Sequence, residues 1–122
     1  MATHSVRTAG VQTELALTLD DAGRPLVADG SDFVVVHAAI RDARGTVVPL
    51  ADDLVTFDVE GQGRILGDAS IGANPMRAQA GIASALVIST RRSGKITVTA
   101  RAFGLRPATL TFESAPPADP AL

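Results

Sequence analysis

The sequence is 122 residues long, with 11 Lys and Arg against 13 Asp and Glu and a formal net charge of −2; it contains four Phe and no Trp, Tyr or Cys. The lack of Cys excludes disulfide bonds, thiolate metal sites and a cysteine nucleophile, and the small negative charge argues against nucleic-acid binding. The length suits one domain, and no apolar run is long enough for a membrane span.

The two ends of the chain are expected to lie outside the domain. Residues 1–13 are small and polar, which predicts a flexible lead-in without the apolar segment of a secretory signal peptide. Residues 114–122 contain three prolines, which predict an extended tail because proline suits neither a helix nor the interior of a sheet. The domain itself is therefore expected over residues 14–113.

Alternation of apolar and polar residues predicts the strands of the first half of the domain. They cover, in chain order, residues 14–20, 25–28, 34–41 and 54–60. The second is short and is expected at a sheet edge because Pro25 begins it, and turns containing Gly23 and Gly45 separate the longer strands. The residues expected to face a core are Leu15, Leu17, Leu19, Val34, Val36, Ala38, Ile40, Val55, Phe57 and Val59.

The second half of the domain continues the same pattern. Its predicted strands cover residues 63–66, 82–90, 95–102 and 108–113. The segment 82–90 is apolar on both faces, so a helix of two turns is an alternative there, although Gly81 before it and the Ser-Thr end favour a strand. The residues expected to face the core are Ile96, Val98, Ala100, Ala102, Ala108, Leu110 and Phe112.

About seven short strands without a convincing helix predict an all-β fold, an antiparallel β-sandwich of immunoglobulin-like type. The Cys and Trp residues of an antibody core are missing. The core is therefore expected to be aliphatic, with Phe33, Phe57, Phe103 and Phe112 as its only large rings.

Carboxylates are the first candidates for chemistry. Asp58 and Glu60 lie two residues apart on one predicted strand, hence on one face about 7 Å apart, which is within the range of glycosidase acid–base pairs. Nothing around them suggests the apolar pocket that a general acid needs, so a solvated strand face is favoured. Six loop aspartates could ligate Ca²⁺ but match no EF-hand spacing, which favours turn formation. They are Asp20, Asp21, Asp29, Asp32, Asp52 and Asp53.

The remaining candidates also favour structural roles. His4 and His37 are the only histidines, too few for a zinc site, and His37 is interpreted as a strand-face residue. The segment Gly61–Gly67 has the spacing GxGxxxG, which differs from the dinucleotide fingerprint and predicts a turn and strand bend. Arg91 and Arg92 form a two-residue basic turn. The sequence therefore predicts no catalytic, cofactor-binding or metal-binding residue.

The order of several motifs resembles a known family. Residues Leu26–Pro49 hold an Ala-Asp-Gly turn before a strand that ends in D-x-x-G-x-x-V-P, which is similar to the opening of bacterial Ig-like domains. Residues Asp52–Gly67 resemble the next hairpin of one subgroup, the C-terminal Ig-like domain of glycoside hydrolase family 2 enzymes, chiefly β-galactosidases. The match continues through Gly72–Pro75, Gly81–Ala83 and Gly94–Leu105, and it covers residues 14–113.

The resemblance implies a non-catalytic accessory domain. In that family the catalytic carboxylates lie on a TIM barrel far upstream, so no catalytic residue is carried over to this sequence. The implied partners are the other domains of the parent enzyme, with contacts between copies as a further option, and the parent is expected in the periplasm or outside the cell. The segment Gly67–Pro75 departs from the longer polar loop of many relatives, which leaves open any contact that this loop makes.

Two other functions remain open from the sequence. The first is a stalk repeat of an intimin- or invasin-type adhesin, whose Ig-like domains share the Asp-Gly turn and the D-x-x-G-x-x-V-P pattern. The second is a carbohydrate-binding module that uses a polar groove, since four Phe needed inside leave few rings for sugar stacking. Tandem copies in the full gene would favour the adhesin, and binding of galactosides would favour the carbohydrate-binding module.

Overall fold

The computed structural model describes residues 10–21, 23–67 and 74–117. Most of the predicted lead-in, with His4, and the end of the predicted tail lie outside these residues, as does the middle of the segment Gly67–Pro75. The described residues form eight strands: β1 (Gln12–Asp20), β2 (Phe33–Asp42), β3 (Leu54–Gly61), β4 (Gly63–Ile65), β5 (Met76–Arg77), β6 (Ile82–Ser89), β7 (Lys95–Arg101) and β8 (Ala108–Glu113).

The strands form two four-stranded antiparallel sheets. Sheet I has the order β1-β2-β6-β4, and sheet II has the order β5-β3-β7-β8. Within the described part of the chain there is no helix of the length and hydrophobicity that crossing a bilayer requires. The predicted all-β sandwich is confirmed, and within the segment 82–90 the residues Ile82–Ser89 form a strand rather than a helix.

Two short segments differ from the predicted strands. Residues 25–28 form no strand, and an isolated parallel bridge joins Val27 to Ala115. There the N–H of Ala28 donates to the carbonyl of Ala115 at 2.8 Å, and the N–H of Ala115 donates to the carbonyl of Leu26 at 2.7 Å. The two-residue strand β5 was not predicted, because two residues are too few to display a period of two.

The core lies between the inner faces of the two sheets and is aliphatic, as expected. From sheet I it receives Val34, Val36, Ala38, Ile40, Ala83, Ala85 and Val87. From sheet II it receives Val55, Phe57, Ile96, Val98 and Ala100. The side chain of Phe57 is the largest that is fully buried, so the single central ring is surrounded by Val, Ile and Ala.

The expectation that all four rings belong to the core is wrong for two of them. Phe103 is 98% exposed and Phe33 is 47% exposed. Phe33 precedes the buried Val34 on β2, so its side chain points to the opposite face of sheet I. Phe103 lies in the turn between β7 and β8, beyond the part of the strand that covers the core. Phe112 packs at the margin of the core as predicted.

Candidate functional site

The carboxylate pair Asp58 and Glu60 lies on the outer face of sheet II. Both side chains are exposed, and their cross-strand partners on β7 are Thr99 and Thr97. Asp58 forms an ion pair with Arg101. The pair therefore stands on an open, polar sheet face, whereas a glycosidase carboxylate that donates a proton needs an apolar enclosure to stay protonated.

Asp32 organises the turn that precedes β2. Its two carboxylate oxygens accept hydrogen bonds from the guanidinium group of Arg24 at 2.7 and 2.8 Å, and the backbone N–H of Val27 donates to it at 2.8 Å. The hydrogen bonds from Arg24, and then that from Val27, hold the pKa of Asp32 well below its usual range. This carboxylate thus has a structural role as a charged acceptor in the loop.

Three of the other loop aspartates are also acceptors for nearby groups. Asp29 accepts from the N–H groups of Ser31 and Asp32 at 2.8 and 2.7 Å, which is an Asx turn and explains the Ala-Asp-Gly motif. Asp21 accepts from the N–H of Gly23, and Asp53 accepts from the side-chain amide of Gln12. Among the described residues no group of three or more His, Asp or Glu is placed to hold a metal ion.

Asp42 begins the turn that the sequence predicted around Gly45, and what the sequence did not predict is that its carboxylate is buried. It is 4% exposed, and one carboxylate oxygen accepts from the N–H groups of Arg44 and Thr46 at 2.9 and 3.0 Å. The other oxygen accepts from the N–H of Gly10 at 2.9 Å. Asp42 is the first residue of the D-x-x-G-x-x-V-P pattern, so this motif encodes a turn closed by a buried carboxylate. An Asp three residues before a turn glycine was the available signal.

His37 lies at the centre of the outer face of sheet I. Its Nδ1 is 2.6 Å from Oγ of Ser84, its cross-strand neighbour on β6. Its Nε2 lies 3.9 Å from a carboxylate oxygen of Asp20 on β1, which is longer than a hydrogen bond. The three side chains in this row across β6, β2 and β1 are thus Ser84, His37 and Asp20. The backbone N–H groups of this sheet face are used in strand pairing, so the face offers no oxyanion hole.

The glycines of the GxGxxxG segment have a packing role. At Gly61, where φ is +92°, an added Cβ would clash with the carbonyl oxygen of Lys95. At Gly63 an added Cβ would lie 3.0 Å from the side chain of Ile96 and 3.2 Å from that of Val87. The motif therefore allows the chain to pass closely over β7 as it crosses from sheet II to sheet I.

The outer faces of the two sheets differ in polarity. The outer face of sheet II is polar apart from Leu54 at the start of β3, and its other residues include Thr56, Asp58, Glu60, Lys95, Thr97, Thr99, Arg101, Thr109, Thr111 and Glu113. The outer face of sheet I carries a patch that we call the apolar face, made of Phe33, Val35, Ala39, Leu66, Ile82, Leu86 and Ile88. The available signal was the segment 82–90, which is apolar on both sides of the strand.

A family model, the glycoside hydrolase family 2 C-terminal domain 5, matches residues 15–111 of this chain. A β-galactosidase from Thermoanaerobacter pseudethanolicus is 34% identical over 101 residues, which are 83% of this chain and 13% of that protein. A β-galactosidase from Bacteroides ovatus is 33% identical over 124 aligned residues, which cover 93% of this chain and 14% of that protein.

The fold matches a solved structure of a glycoside hydrolase family 2 β-glucuronidase with a TM-score of 0.76 and 27% identity, over 88% of this chain and 12% of that one. This chain thus spans about one seventh to one eighth of the length of the relatives that it matches. None of these relatives supports the alternative of an adhesin stalk. The chain belongs to the family of C-terminal domains of glycoside hydrolase family 2 enzymes.

Proposed function

We propose that this chain is a non-catalytic accessory domain of a larger enzyme that hydrolyses glycosidic bonds. The observation that carries the proposal is the match of residues 15–111 to a C-terminal domain, which makes up only 13% and 14% of two β-galactosidases. The remaining six sevenths of such a protein would supply the catalytic carboxylates and the substrate pocket. The parent is then a β-galactosidase, with a β-glucuronidase as the second option because a solved relative has that name.

The roles of the acidic residues support a non-catalytic domain. Asp32 is bound by Arg24 and Asp58 by Arg101, while Glu14 pairs with Arg41 at 2.8 Å. The hydrogen bonds from Arg24 hold the pKa of Asp32 well below its usual range, so this carboxylate is unsuited to donate a proton to a leaving group. The three ion pairs stabilise loops and strand pairs within the domain. In the proposed role, the stable domain supports the enzyme by packing against it.

Hydrolysis assays on the 122-residue chain test the proposal. The purified chain should release no nitrophenol from 4-nitrophenyl β-galactoside or β-glucuronide above the buffer rate. The double variant Asp58→Asn, Glu60→Gln serves as the matched control, since it removes the carboxylate pair whose sequence spacing resembles that of a glycosidase. Turnover by the wild-type chain that disappears in this variant would overturn the proposal.

A carbohydrate-binding role remains the second candidate because of one observation, the 98% exposure of Phe103. A ring in contact with water can stack on the apolar face of a sugar, and the sequence had placed this ring in the core. Calorimetry with millimolar galactose should give no heat of binding if the accessory role is the whole function. Binding that is lost in Phe103→Ala would establish the carbohydrate-binding role instead.

A further inference from the structure

We propose that the apolar face of sheet I is the surface by which this domain docks on the remaining part of its own parent enzyme. The proposal rests on the accessory role proposed above and adds which side of the sandwich faces the enzyme. The face is built from cross-strand pairs, namely Phe33 with Ile88, Val35 with Leu86, and Ala39 with Ile82. Leu66 extends it beyond β6, where its N–H donates to the carbonyl of Leu86 at 3.0 Å.

The exposure of these side chains is unusual for the outer face of a sandwich. Phe33 and Leu66 are each 47% exposed and Ile82 is 41% exposed. An antiparallel sheet that faces water on one side carries polar residues there, and sheet II does so with Thr97, Thr99 and their neighbours. A contiguous apolar patch of this kind marks an interaction site on a soluble protein.

The polar groups within the apolar face are partly satisfied within the domain. His37 and Ser84 lie between two of the apolar pairs, and their side chains already bond to each other at 2.6 Å. This bond satisfies Nδ1 of His37 and the hydroxyl of Ser84, so covering these two groups avoids the penalty of leaving a donor or acceptor without a partner. Charged residues stand at the margin, where Arg41 pairs with Glu14 on β1 and Arg64 lies on β4. An apolar centre with a polar rim is the usual composition of an interface.

The size of the face fits a domain contact within one chain better than a dimer. Three strands about 4.8 Å apart and a length of about 20 Å from Phe33 to Ala39 give about 300 Å², or about 600 Å² over both partners. Contacts between domains of one chain bury about 600–1,500 Å², whereas stable interfaces between separate proteins bury about 1,200–2,000 Å². A covalent link supplies the effective concentration that a small interface lacks.

The amount of chain outside this domain identifies the occupant. In the two β-galactosidase relatives the matching segment is 13% and 14% of the protein, so about six sevenths of such a chain is available to cover the face. The partner surface on that enzyme body should be apolar at its centre and should offer an acidic group to Arg64, which is exposed at the β4 edge.

Cysteine labelling in the full-length parent tests this inference, because the domain has no native Cys. Ser84→Cys places a thiol at the centre of the apolar face, and Thr97→Cys places the matched control at the centre of the polar face of sheet II; both native residues are half-buried in the domain. The rate at which a maleimide labels each thiol is measured by mass spectrometry on peptides of the domain. Each rate is divided by the rate for the same thiol in the urea-unfolded protein, so that the ratio reports protection in the folded enzyme. The pair Ala39→Cys and Thr99→Cys repeats the comparison in case one variant fails to fold.

The expected result is that the thiols of the apolar face react at least tenfold more slowly than those of the polar face. Equal rates on the two faces, or slower reaction on sheet II, would overturn the inference. Protection of the apolar-face thiols that decreases when the protein is diluted would also overturn the inference, since a second copy of the protein would then cover the face. The accessory role fails on a different result, the hydrolysis of glycosides by the isolated chain, so the two failures are distinguishable.

Discussion

The side-chain amide of Asn74 pairs with both backbone groups of Phe57. Its Oδ1 accepts from the N–H of Phe57 at 2.9 Å, and its Nδ2 donates to the carbonyl at 2.8 Å. The short strand β5 pairs with β3 only at Leu54 and Val55. Asn74 therefore continues the hydrogen-bond ladder along the edge of sheet II with a side chain in place of a backbone.

Asn74→Ala should lower the free energy of unfolding by about 1–3 kcal/mol, because it leaves an N–H and a carbonyl of a half-buried strand edge without partners. Urea denaturation followed by circular dichroism gives this value. Gln79→Ala, which removes an exposed amide side chain nearby, is the control and should change stability by less than about 0.5 kcal/mol. Equal effects of the two variants would contradict the assigned role of Asn74.

Asp32 should make the stability of the domain sensitive to acid. Its pKa is lowered in the folded state by Arg24 and by the N–H of Val27, so the unfolded chain binds the proton more tightly. The resulting stabilisation is fully present well above the unfolded pKa of about 3.9 and is lost as the pH falls through the lower folded value. Asp32→Asn removes this contribution.

The gap in unfolding free energy between the wild type and Asp32→Asn should therefore be widest above about pH 5 and should narrow below about pH 4. Urea titrations at several pH values measure the gap. Asp52→Asn, at an exposed loop position, is the control. A gap in unfolding free energy that is constant down to pH 2 would show that the stabilisation by the Arg24–Asp32 pair does not depend on the charge of the carboxylate.

The two phenylalanines that differ most in exposure provide a test of the composition of the core. Phe57 is 1% exposed and Phe103 is 98% exposed. Phe57→Ala should cost about 3–5 kcal/mol through lost burial and the cavity that remains. Phe103→Ala should change stability by no more than about 0.5 kcal/mol. Thermal unfolding monitored by calorimetry distinguishes the two, and a large loss in Phe103→Ala would place that ring in a packed environment.

Alanine substitutions at two glycines with positive φ distinguish the cost of backbone strain from the cost of close packing. Gly104 has φ of +76° and open space around an added Cβ, whereas an added Cβ at Gly61 clashes with the carbonyl of Lys95. Gly104→Ala should cost about 1–2 kcal/mol, the strain of a left-handed residue. Gly61→Ala should cost clearly more and should reduce the yield of soluble protein. Chemical denaturation of both variants measures the difference, and equal losses would rule out the close approach of β3 and β7.

The sequence predicted most of the fold because the inner residues of the long strands keep a strict period of two. Val34, Val36, Ala38 and Ile40 are all buried as expected. The prediction that Phe103 lies in the core was wrong because it was based on composition, which suggests that aromatic rings are buried. The position of Phe103 within a turn decides its exposure instead.

The apolar face was not predicted for a related reason. The pattern on β2 identifies one buried side, and Val35 and Ala39 on the other side have the small apolar side chains that any strand accepts. Only the register that pairs Val35 with Leu86 and Phe33 with Ile88 joins single apolar residues into one surface. Pairing between distant segments is set by tertiary structure, so a single sequence does not display it. The turn that begins at Asp42 was predicted, but the burial of the Asp42 carboxylate was not, because that burial depends on tertiary structure.

In the proposed accessory role the domain supports a glycoside hydrolase without taking part in its chemistry. The most direct measurement is kcat of the full-length parent enzyme on its 4-nitrophenyl glycoside, compared with that of the double variant Asp58→Asn, Glu60→Gln. The two values should agree within about twofold, since in the proposed accessory role neither carboxylate contacts the reacting bond. A fall of about 100-fold or more, the size of effect that losing a general acid or base produces, would contradict it.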